Sequence, residues 1–215
     1  MIIHAVVPVK NLPHAKSRLA ELLTPEERRT LVLAMLSDVL ATLHNVPAIA
    51  HISLISYDST VLSLAKREGY NVIYDHAADL NGALTQAAHA SATAGADALL
   101  IVPADVPLVT PAEIDQVINK LANTSGVVLA SSYDGGTNAL LVRPPQALPF
   151  HFGSQSLALH QHEAQDRGLC VHLLQTPGLE RDIDRPADLI ALADTGGTTA
   201  TQQLLRDLKI FSRIN

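Results

Sequence analysis

Residues 98–114, ALLIVPADVPLVTPAEI, are the most informative about the fold of this chain. Residues 98–102 form an unbroken apolar run, which is typical of a central strand buried on both faces of its sheet. Thr110, Pro111 and Glu113 then follow in the order of a capping residue, a proline and a reciprocal glutamate. This order predicts the first turn of a helix, so the segment is predicted to form a strand, a loop and a helix.

The same alternation extends outward in both directions. We predict further strands over 3–9, 49–56, 71–74, 126–131, 138–142 and 169–174. We predict helices over 24–44, 59–68, 80–94, 110–121, 156–167, 186–193 and 199–209. Such alternation indicates the α/β class, with a three-layer, doubly wound, mostly parallel sheet that carries helices on both faces. Ligands of these sheets bind outside the carboxyl ends of the strands.

The composition limits the class of protein. The chain has 215 residues, of which 47% are hydrophobic, and we expect a single domain over 1–215 with one core. The net charge of −6 argues against a nucleic acid partner, since phosphate backbones select basic surfaces. No apolar stretch approaches the ~18 residues of a membrane span, and the N-terminus has no basic leader. We therefore expect a cytoplasmic protein with no membrane partner.

Cysteine and aromatic content add two expectations. Cys170 is the only cysteine, which excludes an internal disulfide and fits a reducing compartment. Its apolar neighbours, Leu169 and Val171, predict a buried and inert thiol. Aromatic residues make up 3% of the chain and tryptophan is absent, so we expect base stacking on aromatic side chains to contribute little.

A basic segment follows the first predicted strand. It contains Lys10, Lys16 and Arg18 but no glycine, so the Rossmann and P-loop fingerprints are both missing. A triphosphate carries about four negative charges, which side-chain cations can bind in place of backbone amides. The alternative is three solvated cations on a surface loop, and the sequence leaves both interpretations open.

Three carboxylates occupy positions suited to a metal. Asp105 directly follows the central strand, and Asp182 and Asp184 lie two residues apart. If residues 182–184 are extended, both side chains point to one side and repel each other unless a cation lies between them. Mg²⁺ binds through carboxylates and phosphate oxygens, and three carboxylates suit two ions at a phosphoryl centre. The alternatives are that Asp105 forms a turn and that Asp184 caps the helix beginning near Pro186.

Three polar segments, 79–82, 134–139 and 152–156, are turn signals by composition. Glycines in the second segment permit a ligand to approach the backbone, and Thr137 adds a hydroxyl. The third segment precedes a helix, whose N-terminus suits an anion. In the first segment, Asn81 either binds a base edge or caps a helix. The ten histidines show no close metal-ligand spacing, and we assign none of them to a metal.

Six segments, taken in order, resemble one family. They are PVK and AKSRL at 8–10 and 15–19, LNGAL at 80–84, PADVPL at 103–108, GGTNAL at 135–140, FG with Ser156 and His160 at 152–160, and DID with Pro186, Asp188 and Leu189 at 182–189. The chain resembles the CofC/FbiD family, the guanylyltransferases of coenzyme F-420 biosynthesis, over nearly its whole length. Members of that family join GTP to 2-phospho-L-lactate, phosphoenolpyruvate or 3-phospho-D-glycerate.

The resemblance implies a MobA-like nucleotidyltransferase fold, with GTP and a small phosphorylated carboxylic acid as partners and Mg²⁺ as cofactor. It implies that the metal is held by three carboxylates, Asp105, Asp182 and Asp184. It implies that the phospho-acid is held by Thr137, Gly153 and Ser156. It assigns catalytic and nucleotide-binding roles to Lys10, Lys16 and Arg18, and further nucleotide contacts to Asn81, Gly82 and Pro103. The oligomeric state stays open, a homodimer included.

Three other functions remain as alternatives. The first is another nucleotidyltransferase of the same fold, forming a molybdopterin or sugar nucleotide. The second is a non-catalytic nucleotide-binding module, which would bind GTP without forming a metal-dependent product. The third is a glycosyltransferase, since paired aspartates also serve metal and diphosphate binding there, and it would release no pyrophosphate.

Overall fold

A seven-stranded sheet forms the centre of the protein in a computed structural model that describes residues 1–10, 12, 15–121 and 124–213. Its strands are β1 (Ile3–Pro8), β2 (Ile49–Ser56), β3 (Asn71–Tyr74), β4 (Ala98–Ile101), β5 (Gly126–Ser131), β6 (Thr137–Arg143) and β7 (Cys170–Leu174). The order across the sheet is β3-β2-β1-β4-β6-β5-β7. Only β6 runs antiparallel to its neighbours in this sheet, so the predicted mostly parallel arrangement is confirmed.

Helices cover both faces of the sheet. They are α1 (Pro25–His44), α2 (Ser59–Arg67), α3 (Leu80–Thr93), α4 (Pro111–Asn119), α5 (Ser156–Asp166), α6 (Pro177–Glu180), α7 (Pro186–Asp194) and α8 (Ala200–Asp207). Helices α3 and α5 contribute to the core on one face, and the other helices contribute to the core on the opposite face. The predicted three layers are therefore confirmed.

The central strand β4 explains why residues 98–102 are uniformly apolar. Leu100 packs into one core, whereas Leu99 and Ile101 pack into the other. All three side chains are fully buried, because successive residues of a strand point to opposite faces and helices cover both of them. The strand therefore has no solvent-facing side that would select polar residues.

Helix starts follow the capping signals in the sequence. At α1, the Thr24 hydroxyl accepts a hydrogen bond from the Glu27 amide at 3.3 Å, and Glu27 accepts one from the Thr24 amide at 2.8 Å. Thr110 and Glu113 form the same reciprocal pair at α4. These bonds satisfy amides that have no partner within the helix, so both predicted helix starts are confirmed.

The structure also departs from the sequence predictions. Three short elements were not predicted, namely α6 and two 3-10 turns over Ser17–Leu19 and Ile210–Arg213, because elements this short show no periodicity. Cys170 is exposed, so the prediction of a buried thiol is wrong. It begins β7, which lies at the edge of the sheet and, in the part of the chain that the structure describes, pairs with β5 alone. Within the described residues, no helix is both long enough and apolar enough to span a bilayer.

The sheet topology brings the polar loops together at one edge of the sheet, the one formed by the carboxyl ends of its parallel strands. The parallel strands β1, β2 and β4 all end at this edge, and β6 begins there because it runs in the opposite direction. The basic segment after β1, Asp105 after β4 and the first residues of β6 therefore lie close together. This is the edge at which α/β sheets bind ligands.

Candidate active site

A cleft of about 450 Å³ opens at this edge of the sheet. Its lining combines ionised side chains with apolar walls, as is usual for small-molecule sites. The polar residues are Lys10, Lys16, Asp105 and Asp184, and the apolar walls include Tyr57, Leu80, Pro103 and Phe152. Five residues predicted for the nucleotide or the metal, Pro103 among them, thus line one cavity.

Lys16 lies at the centre of the charged cluster. Its ammonium is 2.6 Å from Asp105 Oδ2 and 3.6 Å from Asp184 Oδ1, and its side chain is 10% exposed. Burial disfavours the charged form, but the attraction of Asp105, Asp184 and Asp182 outweighs it and raises the pKa of Lys16. Lys16 is therefore a cation at neutral pH, and both neighbouring carboxylates contact one nitrogen.

The backbone of Lys16 is strained. Its φ of 51° lies in the left-handed region, which costs a residue other than glycine about 1 kcal/mol or more. The ion pair with Asp105 joins loops far apart in the chain and is partly buried. Such a conformation persists where surrounding contacts stabilise it. Here the contacts are the ion pairs of the Lys16 ammonium with two carboxylates.

Asp182 completes the group of three carboxylates. Burial, followed by the negative charge of Asp105, raises its pKa, while a hydrogen bond from Asn138 and the charge of Lys16 oppose the shift. The Asn138 amide nitrogen lies 3.3 Å from Asp182 Oδ1. Carboxylates that repel each other in a half-buried site are stabilised by any cation that enters.

Asp184 does not cap α7. The Asp188 carboxylate instead accepts hydrogen bonds from the amides of Arg185 at 2.7 Å and Asp184 at 3.1 Å. The Asp184 side chain is left to pair with Lys16 and Arg18. The capping interpretation of Asp184 is therefore wrong, and its carboxylate faces the cleft.

The chemistry of this donor set fits Mg²⁺. Carboxylate oxygens are the ligands that Mg²⁺ prefers, together with phosphate oxygens and water. Among the described residues, however, no three His, Cys, Asp or Glu side chains are already arranged around a common metal position. The Lys16 ammonium lies between Asp105 and Asp184, so a metal ion there requires Lys16 to move. The assignment of Asp105, Asp182 and Asp184 to a metal stays a prediction.

The three predicted cations occupy different environments. Lys10 is exposed and lines the cleft, and Arg18 is 64% exposed and pairs with Asp184 at the rim. Only Lys16 is nearly buried. Positions 11, 13 and 14 of the basic segment lie outside the described residues. The view of all three cations as solvated surface charges does not hold for Lys16.

The residues predicted for the phospho-acid form a second cluster. The Ser156 hydroxyl lies 3.1 Å from Thr137 Oγ1, and both side chains are buried. Gly153 has a φ of 129° and accepts a hydrogen bond from the Ser156 amide at 3.2 Å, a conformation that favours glycine. The structure therefore links these three residues through two hydrogen bonds.

A register shift at the start of β6 connects the two clusters. The pairing of β5 with β6 is irregular between Ala130 and Ser131, which lies opposite Thr137. Thr137 contacts Ser156 and His160 on α5, whereas the next residue, Asn138, contacts Asp182. Bulges of this kind re-aim side chains beside active sites. Adjacent residues thus serve the hydroxyl cluster and the carboxylate cluster.

Asn81 and Gly82, which were predicted to contact the nucleotide, contact other residues of the protein in this structure. The Asn81 amide group exchanges two hydrogen bonds with the Phe152 backbone, at 2.7 and 3.1 Å. Gly82 packs against Ala77, where a Cβ would lie 2.9 Å from the Ala77 Cβ. The cap of α3 is Asp79, so the capping interpretation of Asn81 is wrong. Within the described residues, Leu80 rather than Asn81 or Gly82 lines the cleft.

Sequence reasoning missed four residues of this region. Asn138 and His160 lie inside the quoted motifs but received no role, because their contacts are with residues distant in the chain. Tyr57 and Phe152 line the cleft, although low aromatic content predicted little stacking. Tyr57 directly follows β2, and its position after a parallel strand is the signal by which it could have been found in the sequence.

Comparisons with known proteins show the family to which this chain belongs. The family model described as "Guanylyl transferase CofC like" matches residues 3–214. A phosphoenolpyruvate guanylyltransferase of Roseiflexus sp. (strain RS-1) is 44% identical over 211 residues, which cover 96% of this chain and 91% of that protein. A 2-phospho-L-lactate guanylyltransferase of Methanothermobacter thermautotrophicus is 36% identical over 206 residues, covering 95% of this chain and 90% of that protein.

The fold is also found in solved structures. A crystal structure named as a nucleotide-diphospho-sugar transferase, from Desulfovibrio desulfuricans G20, aligns with a TM-score of 0.83. The alignment covers 99% of both chains at 18% sequence identity. Identity this low shows the fold alone, and the predicted nucleotidyltransferase fold is confirmed.

Proposed function

The chain belongs to the CofC-like guanylyltransferase family, and we propose that it joins GMP from GTP to phosphoenolpyruvate and releases pyrophosphate. The same reaction on 2-phospho-L-lactate or 3-phospho-D-glycerate is the alternative. Phosphoenolpyruvate is favoured because the relative that is 44% identical is named for it, whereas the 2-phospho-L-lactate enzyme is 36% identical. The proposal includes a role in coenzyme F-420 biosynthesis and a cytosolic location, which fits a free thiol.

The observation that carries the proposal is the charged cluster in the cleft. Lys16 is a nearly buried cation that contacts Asp105 and Asp184. Asp182 lies near enough to this pair for the negative charge of Asp105 to raise its pKa and for the positive charge of Lys16 to oppose that shift. Alternating charges of this kind suit a reaction that brings two phosphorylated anions together, because the repulsion between them must be neutralised.

The proposed chemistry is an in-line displacement at the α-phosphorus of GTP. A phosphate oxygen of the acceptor forms the new bond to that phosphorus. The bond from the phosphorus to the oxygen that bridges to the β-phosphate breaks, and pyrophosphate leaves with the electron pair. A phosphate monoester with a second pKa of about 6 is already ionised at neutral pH, so the chain has no need of a general base.

Specific residues supply the electrostatics of this displacement. Lys10, Lys16 and Arg18 would bind the triphosphate, and the raised pKa of Lys16 keeps it protonated while it does so. Thr137, Gly153 and Ser156 would bind the acceptor phosphate. Mg²⁺ would be held by Asp105, Asp182 and Asp184 and would neutralise phosphate charge. Pro103 and the apolar walls of the cleft exclude water, which strengthens each of these interactions.

Product analysis by mass spectrometry tests the proposal. GTP and Mg²⁺ are incubated with each of the three phospho-acids alone and then with all three at equal concentration, and pyrophosphate release is measured in parallel. We expect a guanosine diphosphate conjugate of phosphoenolpyruvate and one pyrophosphate for each product. Parallel reactions with CTP, UTP or a chelator serve as controls.

Each other outcome identifies a competing function. A product with CTP or UTP but none with GTP indicates another nucleotidyltransferase of this fold. Binding of GTP with no product from any acid indicates a binding module. Consumption of a sugar nucleotide without pyrophosphate release indicates a glycosyltransferase. Conversion of a different phospho-acid in preference to phosphoenolpyruvate corrects the acceptor alone and leaves the reaction class intact.

A further inference from the structure

His160 is a fully buried histidine to which the proposed reaction assigns no role. It lies on α5 one turn after Ser156, and it is among the few polar side chains with no exposed surface among the described residues. Both of its ring nitrogens have partners. Nε2 lies 2.8 Å from the backbone nitrogen of His151, and Nδ1 lies 3.3 Å from Thr137 Oγ1.

The contact with His151 determines where the imidazole proton lies. A backbone N–H can only donate, so His160 Nε2 must accept and carries no hydrogen. A neutral imidazole has one proton, which is therefore on Nδ1. Nδ1–H then faces Thr137 Oγ1 at 3.3 Å and also the Ser156 backbone carbonyl, and because Nδ1 carries a proton it cannot accept one from Thr137.

The ring is neutral at physiological pH. Burial, followed by the nearby His151, lowers the pKa of His160 to about 4, against a smaller opposing effect of the Ser156 backbone carbonyl. The His151 ring is in turn 3.5 Å from the Glu163 carboxylate, which also pairs with Arg167. Protonation at Nε2 would in addition break the bond from the His151 amide.

The direction of this hydrogen bond controls the hydroxyl pair. Thr137 and Ser156 together have two hydroxyl protons, and one of them is used in the bond between them. The second proton is that of Thr137. Because the protonated Nδ1 of His160 cannot accept it, this proton has no partner within the cluster. With the opposite tautomer, Thr137 would donate to His160 and Ser156 to Thr137, and no hydroxyl proton would be left for a ligand.

We propose that His160 is a positioning residue for the phosphorylated acid, which keeps one O–H of the Thr137–Ser156 pair free to donate to the acceptor's phosphate. The inference rests on the proposed function, because it takes the acceptor to bind at these hydroxyls. It goes beyond that function in assigning the residue and the proton that orient them.

Nitrogen NMR of the full-length protein tests the tautomer without any reference to activity. In ¹⁵N-histidine-labelled protein, the His160 signals are identified by their loss in His160→Gln. We expect Nδ1 to be protonated and Nε2 to be unprotonated between about pH 5 and 8, the range in which a histidine with an unperturbed pKa changes its charge. Protonation at Nε2, or a normal titration of His160, overturns the proposal.

A double-mutant cycle tests the route through Thr137. His160→Gln keeps an acceptor for the His151 amide but lacks the donor at Nδ1. We expect it to raise the KM for the phospho-acid about tenfold, as a weakened hydrogen bond to a charged group would, and to leave the KM for GTP unchanged. In a Thr137→Ala background the same change should have less than about a twofold effect, since its target is gone.

Two further variants complete the test. His160→Asn, whose amide nitrogen replaces the Nδ1 donor, should restore most of the acceptor affinity that His160→Gln loses. His162→Gln, on the exposed side of the same helix, should change neither KM. Equal effects of His160→Gln with and without Thr137, or equal increases in both KM values, overturn the proposal. Wild-type protein that forms no product with any phospho-acid refutes the proposed function instead, whatever tautomer the NMR shows.

Discussion

The backbone amide of Ile183 donates a hydrogen bond to the backbone carbonyl of Asp105 at a distance of 2.9 Å. This bond joins two loops that are far apart in the chain. Ile183 is buried in the core, and the aspartates on either side of it are half-buried. This hydrogen bond holds the segment of Asp182 and Asp184 against the loop of Asp105, before any ligand binds.

Removing either of two carboxylates should abolish turnover while the fold survives. We expect Asp105→Ala and Asp182→Ala each to reduce the rate of pyrophosphate release about 100-fold or more, the usual cost of losing one preorganised electrostatic group. Thermal unfolding checks that each variant is folded. Asp194→Asn, an exposed residue at the end of α7, is the matched control. Near-normal turnover in either Ala variant would remove that carboxylate from the mechanism.

Asn138 should affect the metal through Asp182. Its amide lies 3.3 Å from Asp182 Oδ1, and removing a group that orients a metal ligand typically weakens metal binding 10-fold or more. We therefore expect Asn138→Ala to raise the Mg²⁺ concentration needed for half-maximal activity about tenfold. Direct binding of Mn²⁺, followed by electron paramagnetic resonance, gives a second readout. Gln116→Ala on the surface of α4 is the control, and identical Mg²⁺ curves for the two variants would contradict the prediction.

His160 should make stability depend on pH. Its pKa is about 4 in the folded protein and about 6.5 in an unfolded chain. The unfolded state therefore binds the proton more readily, so the stabilisation is fully present above pH 6.5 and is lost as the pH falls toward 4. The difference between the two pKa values corresponds to about 3 kcal/mol.

Urea unfolding of the wild type and of His160→Gln, at intervals from about pH 7 to pH 4, measures this contribution. The difference in unfolding free energy between the two proteins should shrink as the pH falls. His4, whose pKa is lowered by burial and by His51, titrates in both proteins and cancels from the difference. A difference that is independent of pH would show that the pKa of His160 is the same in the folded and unfolded states.

A methyl group at Gly178 should destabilise the segment that leads to Asp182. A Cβ there would lie 2.4 Å from a Glu113 carboxylate oxygen and 2.6 Å from the Leu108 carbonyl. The Gly178 amide also donates to Glu113 at 2.7 Å. We expect Gly178→Ala to lower the unfolding free energy by about 1–3 kcal/mol, the usual cost of overpacking.

Gly196→Ala is the matched control for Gly178→Ala. Nothing lies within 4 Å of a Cβ at Gly196, so this change should be neutral or stabilise the protein by up to about 1 kcal/mol through the unfolded state. Urea unfolding of both variants makes the comparison. Equal stabilities would mean that the contact between α6 and Glu113 adapts without cost.

Local patterns in the sequence were sufficient for the architecture. The signals are the apolar run at 98–102 and the capping pairs at Thr24 and Thr110, and each involves only residues that are close together in the chain. The predicted strand and both predicted helix starts are therefore correct. The order of chemical groups along the chain also indicated that Lys16 and Asp105 would lie at the same edge, because parallel strands present the residues that follow them at one edge, and the two side chains do form an ion pair.

The contacts of these side chains depend on the folded structure and could not be predicted from the sequence. Lys16 lies between Asp105 and Asp184, Arg185 rather than Asp184 is the N-cap of α7, and Asn81 bonds to the Phe152 backbone. Cys170 is exposed because β7 is the edge strand, which depends on strand order rather than on its apolar neighbours. The physical reason is the same in each case. Periodicity and capping are short-range along the chain, whereas a hydrogen bond, an ion pair or burial depends on segments that only the folded sheet brings together.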